Sequence, residues 1–340
     1  MFKYDKPYNL FTNWLQLSLC LVFTIIIVGG LTRLTGSGLS IIEWELFKGI
    51  LPPLNEMEWT KYFQLYKTIP QYKLLNFNMT LDEFKIIFYW EYFHRILGRL
   101  IGIFFLIPLL YFYLTNQIDK KYLKPCFIIM ILIILQGIIG WYMVSSGLVN
   151  NVSVSHYRLS LHLSVALIII SAIFWLIINI RKKTFKVFFK FDVNNFPFLL
   201  LFILLFFQII LGAFVSGLDA GKLYPTWPLM GNAYVPNDFI FKKLEDLLNF
   251  NNHSLVQFYH RNLAYLITFY IFIISYYVFI KKVKRMYQPL IILLIFLFLQ
   301  IILGIFTLIS GINIYLASLH QITSVLLIFS AINFYYSYIK

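Results

Sequence analysis

Apolar runs of about 20 residues recur along the whole chain and are separated by shorter polar segments. A helix of that length crosses about 30 Å of hydrocarbon, so each run predicts one transmembrane helix. The runs are continuous rather than alternating, which excludes a transmembrane β-barrel. The eight predicted spans cover residues 14–31, 94–114, 126–144, 161–180, 196–217, 260–280, 290–309 and 319–338.

The composition agrees with this pattern. Of the 340 residues, 60% are hydrophobic and only 12% are charged, whereas an ordinary soluble domain carries about 25% charged residues. This balance excludes a soluble globular enzyme and a disordered chain. The predicted fold class is an all-α polytopic membrane protein with eight transmembrane helices.

The basic residues predict the orientation of the chain in the bilayer. Fifteen of the 28 Lys and Arg residues lie in the N-terminal segment, in segments 116–124, 181–190 and 281–285, and at the C-terminus. The positive-inside rule places these segments in the cytoplasm, with both termini inside. The net charge of +14 is therefore explained by topology and the lipid bilayer, and no nucleic-acid partner is expected.

The two halves of the chain resemble each other in four places that occur in the same order. The matching pairs are Val28-Gly29-Gly30-Leu31 with Leu211-Gly212-Ala213-Phe214, His94-Arg95 with His260-Arg261, Leu135-Gln136 and Gly140 with Leu299-Gln300 and Gly304, and Ser160-Leu161-His162 with Ser318-Leu319-His320. Four matches in register indicate an internal duplication. We expect two four-helix bundles, residues 1–190 and 191–340, related by a pseudo-twofold axis along the membrane normal.

Four of the six histidines occupy these repeated positions, at the predicted outer ends of the even-numbered spans. Helices that run in the same direction place their first residues at the same depth, so His94 is expected to face His162, and His260 to face His320. Two imidazoles inside a four-helix bundle are a common way to hold a haem between axial ligands. Zinc fits less well because each bundle offers only two ligands, and copper lacks Cys or Met neighbours at motif spacing. An interfacial histidine bonded to lipid headgroups remains the alternative for any single position.

Arginines flank the predicted histidine pairs at a similar depth. A guanidinium suits the carboxylate of a haem propionate, although each of these side chains could instead reach lipid phosphate. The arginines are Arg33, Arg95, Arg99, Arg158 and Arg261.

One carboxylate distinguishes the two halves. Glu91 lies three residues before His94, whereas the residue three before His260 is Gln257. A carboxylate beside a haem in a site of low dielectric constant could act as a base on water or stabilise a developing cation. Alternatively, the negative charge of Glu91 could stabilise the N-terminal end of its helix, or Glu91 could pair with Arg95. His156 and His253 have no repeat partner and are expected in solvated loops.

Several longer segments resemble the heme A synthase family, in its proteobacterial and mitochondrial branch. They are Gly30-Leu31-Thr32-Arg33-Leu34-Thr35-Gly36-Ser37-Gly38-Leu39-Ser40, Glu91-Tyr92-Phe93-His94-Arg95, Gly140-Trp141-Tyr142-Met143-Val144, Tyr157-Arg158-Leu159-Ser160-Leu161-His162-Leu163, Gly217-Leu218-Asp219-Ala220-Gly221, Thr226-Trp227-Pro228-Leu229-Met230 and His260-Arg261-Asn262-Leu263-Ala264-Tyr265. The resemblance covers nearly the whole chain.

This resemblance implies an enzyme that oxidises the C8 methyl of haem O to a formyl group, which gives haem A for cytochrome oxidase. The oxygen would come from water through successive hydroxylations, and the electrons would pass to an acceptor that the sequence does not identify. His94 and His162 would flank the substrate haem, with Glu91 as the catalytic carboxylate. His260 and His320 would ligate a haem b in the C-terminal half. Heme O synthase, cytochrome oxidase assembly factors and a second copy of the chain are the partners this implies.

Two other functions fit part of the pattern. A dihaem b-type electron carrier explains the four histidines but leaves Glu91 without a reason. A transporter built on the repeat predicts charged or broken helices at the midplane, whereas the ionisable residues here cluster near one boundary. The segment 1–13 has no Arg-rich presequence, which favours the bacterial cytoplasmic membrane over a mitochondrial one.

Overall fold

The computed structural model describes residues 6–44, 48–149, 151–189, 192–238 and 243–339. These ranges contain ten α-helices, four short 3-10 helices and no β-strand. The α-helices are α1 (Lys6–Leu34), α2 (Glu56–Tyr66), α3 (Pro70–Leu74), α4 (Leu81–Thr115), α5 (Lys120–Gly147), α6 (His156–Arg181), α7 (Phe196–Gly217), α8 (His253–Ile280), α9 (Tyr287–Ile309) and α10 (Ile314–Tyr338).

Eight of these helices are long and apolar enough to cross a membrane, and only α2 and α3 are not. The predicted number of spans and the all-α class are therefore confirmed. The chain is a multi-pass membrane protein.

The chain divides into two compact units, Met1–Phe185 and Lys186–Lys340. In the first unit α1 packs on α4, α4 on α5, α5 on α6, and α6 returns to α1. In the second unit α7, α8, α9 and α10 form a ring in the same order. Each unit is thus a four-helix bundle. The boundary expected between residues 190 and 191 lies outside the described residues, and the pseudo-twofold axis stays a prediction.

Several helices begin earlier than the apolar runs suggest, because polar residues cap them. Thr80 and Glu83 form a reciprocal capping box that starts α4 at Leu81, and such a box satisfies two otherwise unpaired backbone donors. The side chain of Asn252 caps α8 in a similar way, and that of Asn313 caps α10.

The connection between α1 and α4 forms a small packed layer, here called the N-terminal cap (residues 35–44 and 48–80). Its buried aromatic residues, including Trp59, Phe63 and Tyr66, pack against Phe84 and Phe88 of the first turns of α4. Burial raises the pKa of the Tyr66 hydroxyl, which donates a hydrogen bond to Gln71.

The same network fixes the start of the cap. The Gln71 amide donates a 2.9 Å hydrogen bond to the carbonyl of Gly36, and Gly36 has a positive φ of 67° that glycine adopts at little cost. The cap therefore holds the chain that follows Gly36 against α4.

Candidate functional site

Four histidines lie inside the bundles, each opposite a glycine of a neighbouring helix. A Cβ added to the glycine would lie 2.9 to 3.1 Å from the imidazole, which is tighter than nine in ten real Cβ contacts. The pairs are Gly29 with His94, Gly140 with His162, Gly212 with His260 and Gly304 with His320. Each glycine thus leaves the space that the facing imidazole occupies.

The first two histidines face each other within the first unit. The ring centroids of His94 and His162 are 6.3 Å apart, and the ring planes are inclined by 66°. An imidazole–metal bond is about 2 Å long, so two such bonds and the radii of the two rings account for a separation of this size. The expected pairing of His94 with His162 is confirmed.

The second pair lies in the second unit. His260 lies against Gly212 of α7 and His320 against Gly304 of α9, so both imidazoles are packed within this unit, as the repeat predicts. The location of the four histidines at the outer ends of the membrane spans stays a prediction, because the helices extend beyond the apolar runs. His94 is the fourteenth residue of α4, and the other three are the seventh or eighth residue of their helices. The imidazoles therefore lie deeper along the helices than the apolar runs suggested.

The polar atoms around the histidines fit a haem held by two imidazoles. The Nδ1 atoms of His162, His260 and His320 are buried without a hydrogen-bond partner among the described residues. A histidine that ligates a haem binds the iron through one ring nitrogen and directs the other to a hydrogen-bond acceptor, so an unpartnered ring nitrogen on each of these histidines is compatible with ligation. Among the described residues, no group of three or more His, Cys, Asp or Glu side chains is arranged so that it could hold a metal ion by itself.

Glu91 is 3% exposed and fully hydrogen-bonded. Its Oε2 accepts from the Ser40 hydroxyl at 2.7 Å and from the backbone N–H of Ile41 at 2.9 Å. Its Oε1 accepts from Arg95 Nη2 at 2.6 Å and from Arg95 Nε at 3.1 Å. The carboxylate is thus held between α4 and the N-terminal cap, while His94, one turn further along α4, faces Gly29 and His162.

The corresponding position of the second unit carries Gln257, which is 2% exposed. Its amide nitrogen donates a 3.0 Å hydrogen bond to the carbonyl of Tyr224, and its Oε1 has no partner among the described residues. Gln257 therefore contacts the α7–α8 connection much as Glu91 contacts the cap. The two units therefore have buried side chains of different charge at corresponding positions, Glu91 in the first and Gln257 in the second.

The arginines that follow the histidines hold loop carbonyls. Arg95 Nη2 donates to Ile41 O at 2.7 Å, and its guanidinium lies 4.9 Å from the centre of the Trp44 ring. Arg261 donates to the carbonyls of Tyr224, Thr226 and Leu229 at 2.8 to 3.2 Å.

The other predicted arginines have different surroundings. Arg158 stacks on the Tyr142 ring at 4.7 Å, Arg33 lies in the last turn of α1, and Arg99 donates to the carbonyl of Gly49 at 3.3 Å. Arg95 and Arg99 line a cleft between α4 and the cap, together with Glu43 and Tyr92. The cleft thus brings two of the predicted arginines together beside Glu91.

The two remaining histidines differ from what we expected. His156 is the first residue of α6, is 7% exposed and packs on the Tyr157 ring with 4.0 Å between the ring centroids. The expectation that it lies in a solvated loop is therefore wrong. His253 is exposed, as expected, but it is the first residue of α8 rather than a loop residue.

Three glutamines beside the histidines were missed in the sequence. Gln136 donates a 2.9 Å hydrogen bond to the carbonyl of His162, and Gln208 donates at 3.1 Å to the carbonyl of His260. The amide nitrogen of Gln300 lies 3.3 Å from His320 Nε2. The signal was a glutamine four residues before the glycine in three of the four glycine helices.

Comparison with known proteins places this site in a family. The model of a family described as cytochrome oxidase assembly protein, COX15-CtaA, matches residues 12–332. The chain is 50% identical over 323 residues to the "Heme A synthase" of Pelagibacter ubique, with 93% of each chain covered.

Two further relatives carry the same name. The "Heme A synthase" of Rickettsia canadensis is 38% identical over 323 residues, which cover 94% of this chain and 95% of the relative. That of Agrobacterium fabrum is 44% identical over 263 residues, which cover 77% of this chain and 72% of the relative. The match of the family model, over residues 12–332, spans most of both units.

Proposed function

This chain belongs to the COX15-CtaA family of cytochrome oxidase assembly proteins, and we propose that it is an oxidoreductase that converts haem O to haem A. The names of its relatives support this activity. The observation that carries the proposal is the pair formed by His94 and His162, with Glu91 one turn away on the same helix. Among the described residues, only this half combines a histidine pair with a buried carboxylate.

In this proposal the first unit holds the substrate. His94 and His162 lie on either side of haem O, and Gly29 and Gly140 keep the imidazoles at the spacing described above. Arg33 and Arg158 face the haem carboxylates, for which a guanidinium is a suitable partner. Arg95 holds Glu91 and contributes positive charge to the same region.

Each hydroxylation removes two electrons and one proton from the methyl carbon and one further proton from the water whose oxygen bonds to that carbon, and Glu91 is the group that takes the proton of the water. Its Oε1 and Oε2 are held in one orientation by Arg95, Ser40 and Ile41, and one of these hydrogen bonds must give way when the carboxylate accepts a proton. The oxygen of the product comes from water, and the electrons released leave through the second unit to an acceptor. The protein supplies position and a proton acceptor.

In the second unit, His260 and His320 would hold a haem b, and Arg261, the next residue after His260, would contribute positive charge there. When bound, a haem with two imidazole ligands supplies one-electron transfer. Gln257, in the place of Glu91, leaves this half without a carboxylate, which suits a site that passes electrons and does no chemistry on a bound molecule.

The basic segments place both termini in the cytoplasm, and the bacterial relatives favour the cytoplasmic membrane. Haem O is the substrate. Heme O synthase, assembly factors of cytochrome oxidase and a second copy of the chain are further partners in this proposal.

The experiment that tests the function is pigment extraction from cells that make haem O but no haem A, with and without this chain. We expect haem A only in cells that express the chain. Purified protein that contains both haems and produces no haem A when an electron acceptor is supplied would instead favour a dihaem electron carrier.

A further inference from the structure

Four helices, α1, α5, α7 and α9, carry a glycine that faces a histidine. In three of them, a glutamine lies one turn before that glycine. Gln136 precedes Gly140 by four residues, and the same spacing joins Gln208 to Gly212 and Gln300 to Gly304. Residues four apart lie on one face of a helix, so each glutamine is directed to the helix that carries the histidine. In α1 the residue four before Gly29 is Ile25.

Each of the three glutamines contacts the histidine of the facing helix through its side-chain amide. Gln136 and Gln208 donate to the backbone carbonyls of His162 and His260. Gln300 contacts the ring of His320 directly, and its Oε1 accepts a 2.6 Å hydrogen bond from the Thr323 hydroxyl.

In two of these glutamines, the side-chain oxygen accepts no hydrogen bond from the described residues. The Oε1 atoms of Gln136 and Gln208 are buried without a partner among the described residues, as are the Nδ1 atoms of His162 and His260. A histidine that binds a metal through one nitrogen generally donates the N–H of the other to a nearby acceptor, which fixes the orientation of the ring. The amide already bonded to the backbone of the same histidine can provide that acceptor.

His94 has no such support from α1. Ile25 carries no donor or acceptor, and its Cδ1 would lie 3.6 Å from a Cβ on Gly98 of α4. The His94 ring is also oriented differently, because its Nε2 is the atom nearest to the Cβ position of Gly29, whereas the other three glycines are nearest to Cε1.

We propose that Gln136, Gln208 and Gln300 are positioning residues that fasten three of the four haem-facing histidines, and that Ile25 leaves His94 as the exchangeable ligand. This inference rests on the function proposed above. A site that takes up haem O and releases haem A needs one ligand that can dissociate from the haem iron. A cofactor site keeps its haem when both ligands are fixed.

Haem release from the purified holoprotein tests this assignment without turnover. The protein is mixed with excess apomyoglobin as a haem acceptor, and the haem O and haem b that remain are separated by chromatography after extraction. The variants are Ile25→Gln with Ile25→Leu as its matched control, and Gln208→Leu with Gln208→Glu, which keeps an acceptor oxygen of similar reach.

We expect the wild type to lose haem O faster than haem b. Ile25→Gln should slow the loss of haem O about tenfold, because a residue that supports a metal ligand typically changes metal affinity 10- to 100-fold, and Ile25→Leu should not. Gln208→Leu should accelerate the loss of haem b by a similar factor and shift the EPR signal of the ferric haem, and Gln208→Glu, which keeps an acceptor for His260 Nδ1 but loses the donor to the His260 carbonyl, should restore the EPR signal.

Equal rates of haem O loss from Ile25→Gln and Ile25→Leu would overturn the proposal, as would wild-type retention of haem b by Gln208→Leu. If Ile25→Gln does not fold, Gln136→Leu takes its place, with faster loss of haem O expected and an unchanged rate contradicting the proposal. Because release is measured without turnover, a chain that makes no haem A but shows these shifts refutes only the proposed activity.

Discussion

Gly140 and His162 face each other across the α5–α6 contact so closely that a Cβ on the glycine would lie 3.0 Å from the Cε1 of the imidazole. Only a hydrogen atom fits between the two. The position of the imidazole therefore depends on a residue that has no side chain.

Gly140→Ala should displace the His162 ring and lower the amount of haem held by the first unit. Overpacking of this kind costs about 1 to 3 kcal/mol, so we expect a protein that folds but binds substantially less haem O. The measurement is the ratio of extracted haem O to protein, together with the helical circular dichroism signal.

Gly137→Ala is the matched control, because a Cβ at Gly137 meets nothing within 4 Å. Alanine favours a helix over glycine by about 1 kcal/mol, so this variant should hold wild-type amounts of haem and be no less stable. Equal haem content in the two variants would show that the close contact at Gly140 does not matter.

Glu91→Gln should abolish haem A formation while haem O still binds. Loss of a proton acceptor typically lowers a rate by about 10² to 10⁴, and haem A is measured by chromatography of extracted pigments. The variant also leaves Arg95 without its carboxylate, and breaking a buried ion pair costs about 3 to 5 kcal/mol, so activity is compared at temperatures where the variant is folded.

Ser40→Ala is the control for this experiment. It removes one hydrogen bond from Glu91 Oε2 but keeps the carboxylate and the ion pair, at a cost of about 1.5 to 3 kcal/mol. We expect haem A formation within a few-fold of the wild type. If Glu91→Gln were as active as Ser40→Ala, Glu91 would have only the structural task of joining α4 to the N-terminal cap.

Arg261→Lys should loosen the α7–α8 connection. The guanidinium bonds three backbone carbonyls, at Tyr224, Thr226 and Leu229, and a single ammonium group does not reach all three. Since a hydrogen bond to a charged group contributes about 1.5 to 3 kcal/mol, cleavage of the connection by added protease should become clearly faster.

Lys222→Gln serves as the comparison for Arg261→Lys. Lys222 forms an exposed ion pair with Asp219, and such pairs contribute about 0 to 1 kcal/mol. Its cleavage rate should match that of the wild type, and a similar rate for Arg261→Lys would contradict the role assigned to Arg261.

Acid should loosen the same connection through Asp238. Its carboxylate accepts hydrogen bonds from the hydroxyls of Tyr224 and Ser254. Burial acts to raise the pKa of Asp238, but these hydrogen bonds outweigh burial, and the pKa lies below its ordinary value. A depressed carboxyl pKa stabilises the folded state above the unfolded pKa, about 4 for Asp, and that contribution is lost as the pH falls through the folded pKa.

Protease sensitivity of the α7–α8 connection should therefore increase as the pH is lowered below about 4, assayed with an acid-active protease. Asp238→Asn should be more sensitive than the wild type at neutral pH and should lose most of the pH dependence. The same pH dependence in both proteins would assign the effect to another group.

The sequence predicted the eight spans and the facing of His94 and His162, because long apolar runs and an internal repeat are strong signals. It did not predict where α4 begins. The turns from Leu81 to Phe93 are amphipathic and carry Asp82 and Glu83, so their helical structure depends on a capping box and on packing against the cap rather than on hydrophobicity.

The partners of Glu91 were only partly predictable. Arg95 lies one turn along the same helix, and pairing with it was among the expected roles of Glu91. Ser40 and Ile41 are about fifty residues away in the sequence, and only the folding of the N-terminal cap brings them to the carboxylate. The burial of His156 depends in the same way on tertiary packing at the start of α6.

The length of α4 has a mechanical consequence. Its 35 residues form a rod of about 52 Å, against about 30 Å of hydrocarbon. At the N-terminal end of α4, Phe84 and Phe88 pack against the cap. His94 lies further along the same helix, before Pro108. Because the cap packs on the same continuous helix that carries His94, a substitution that loosens the cap should also change the position of the His94 ring.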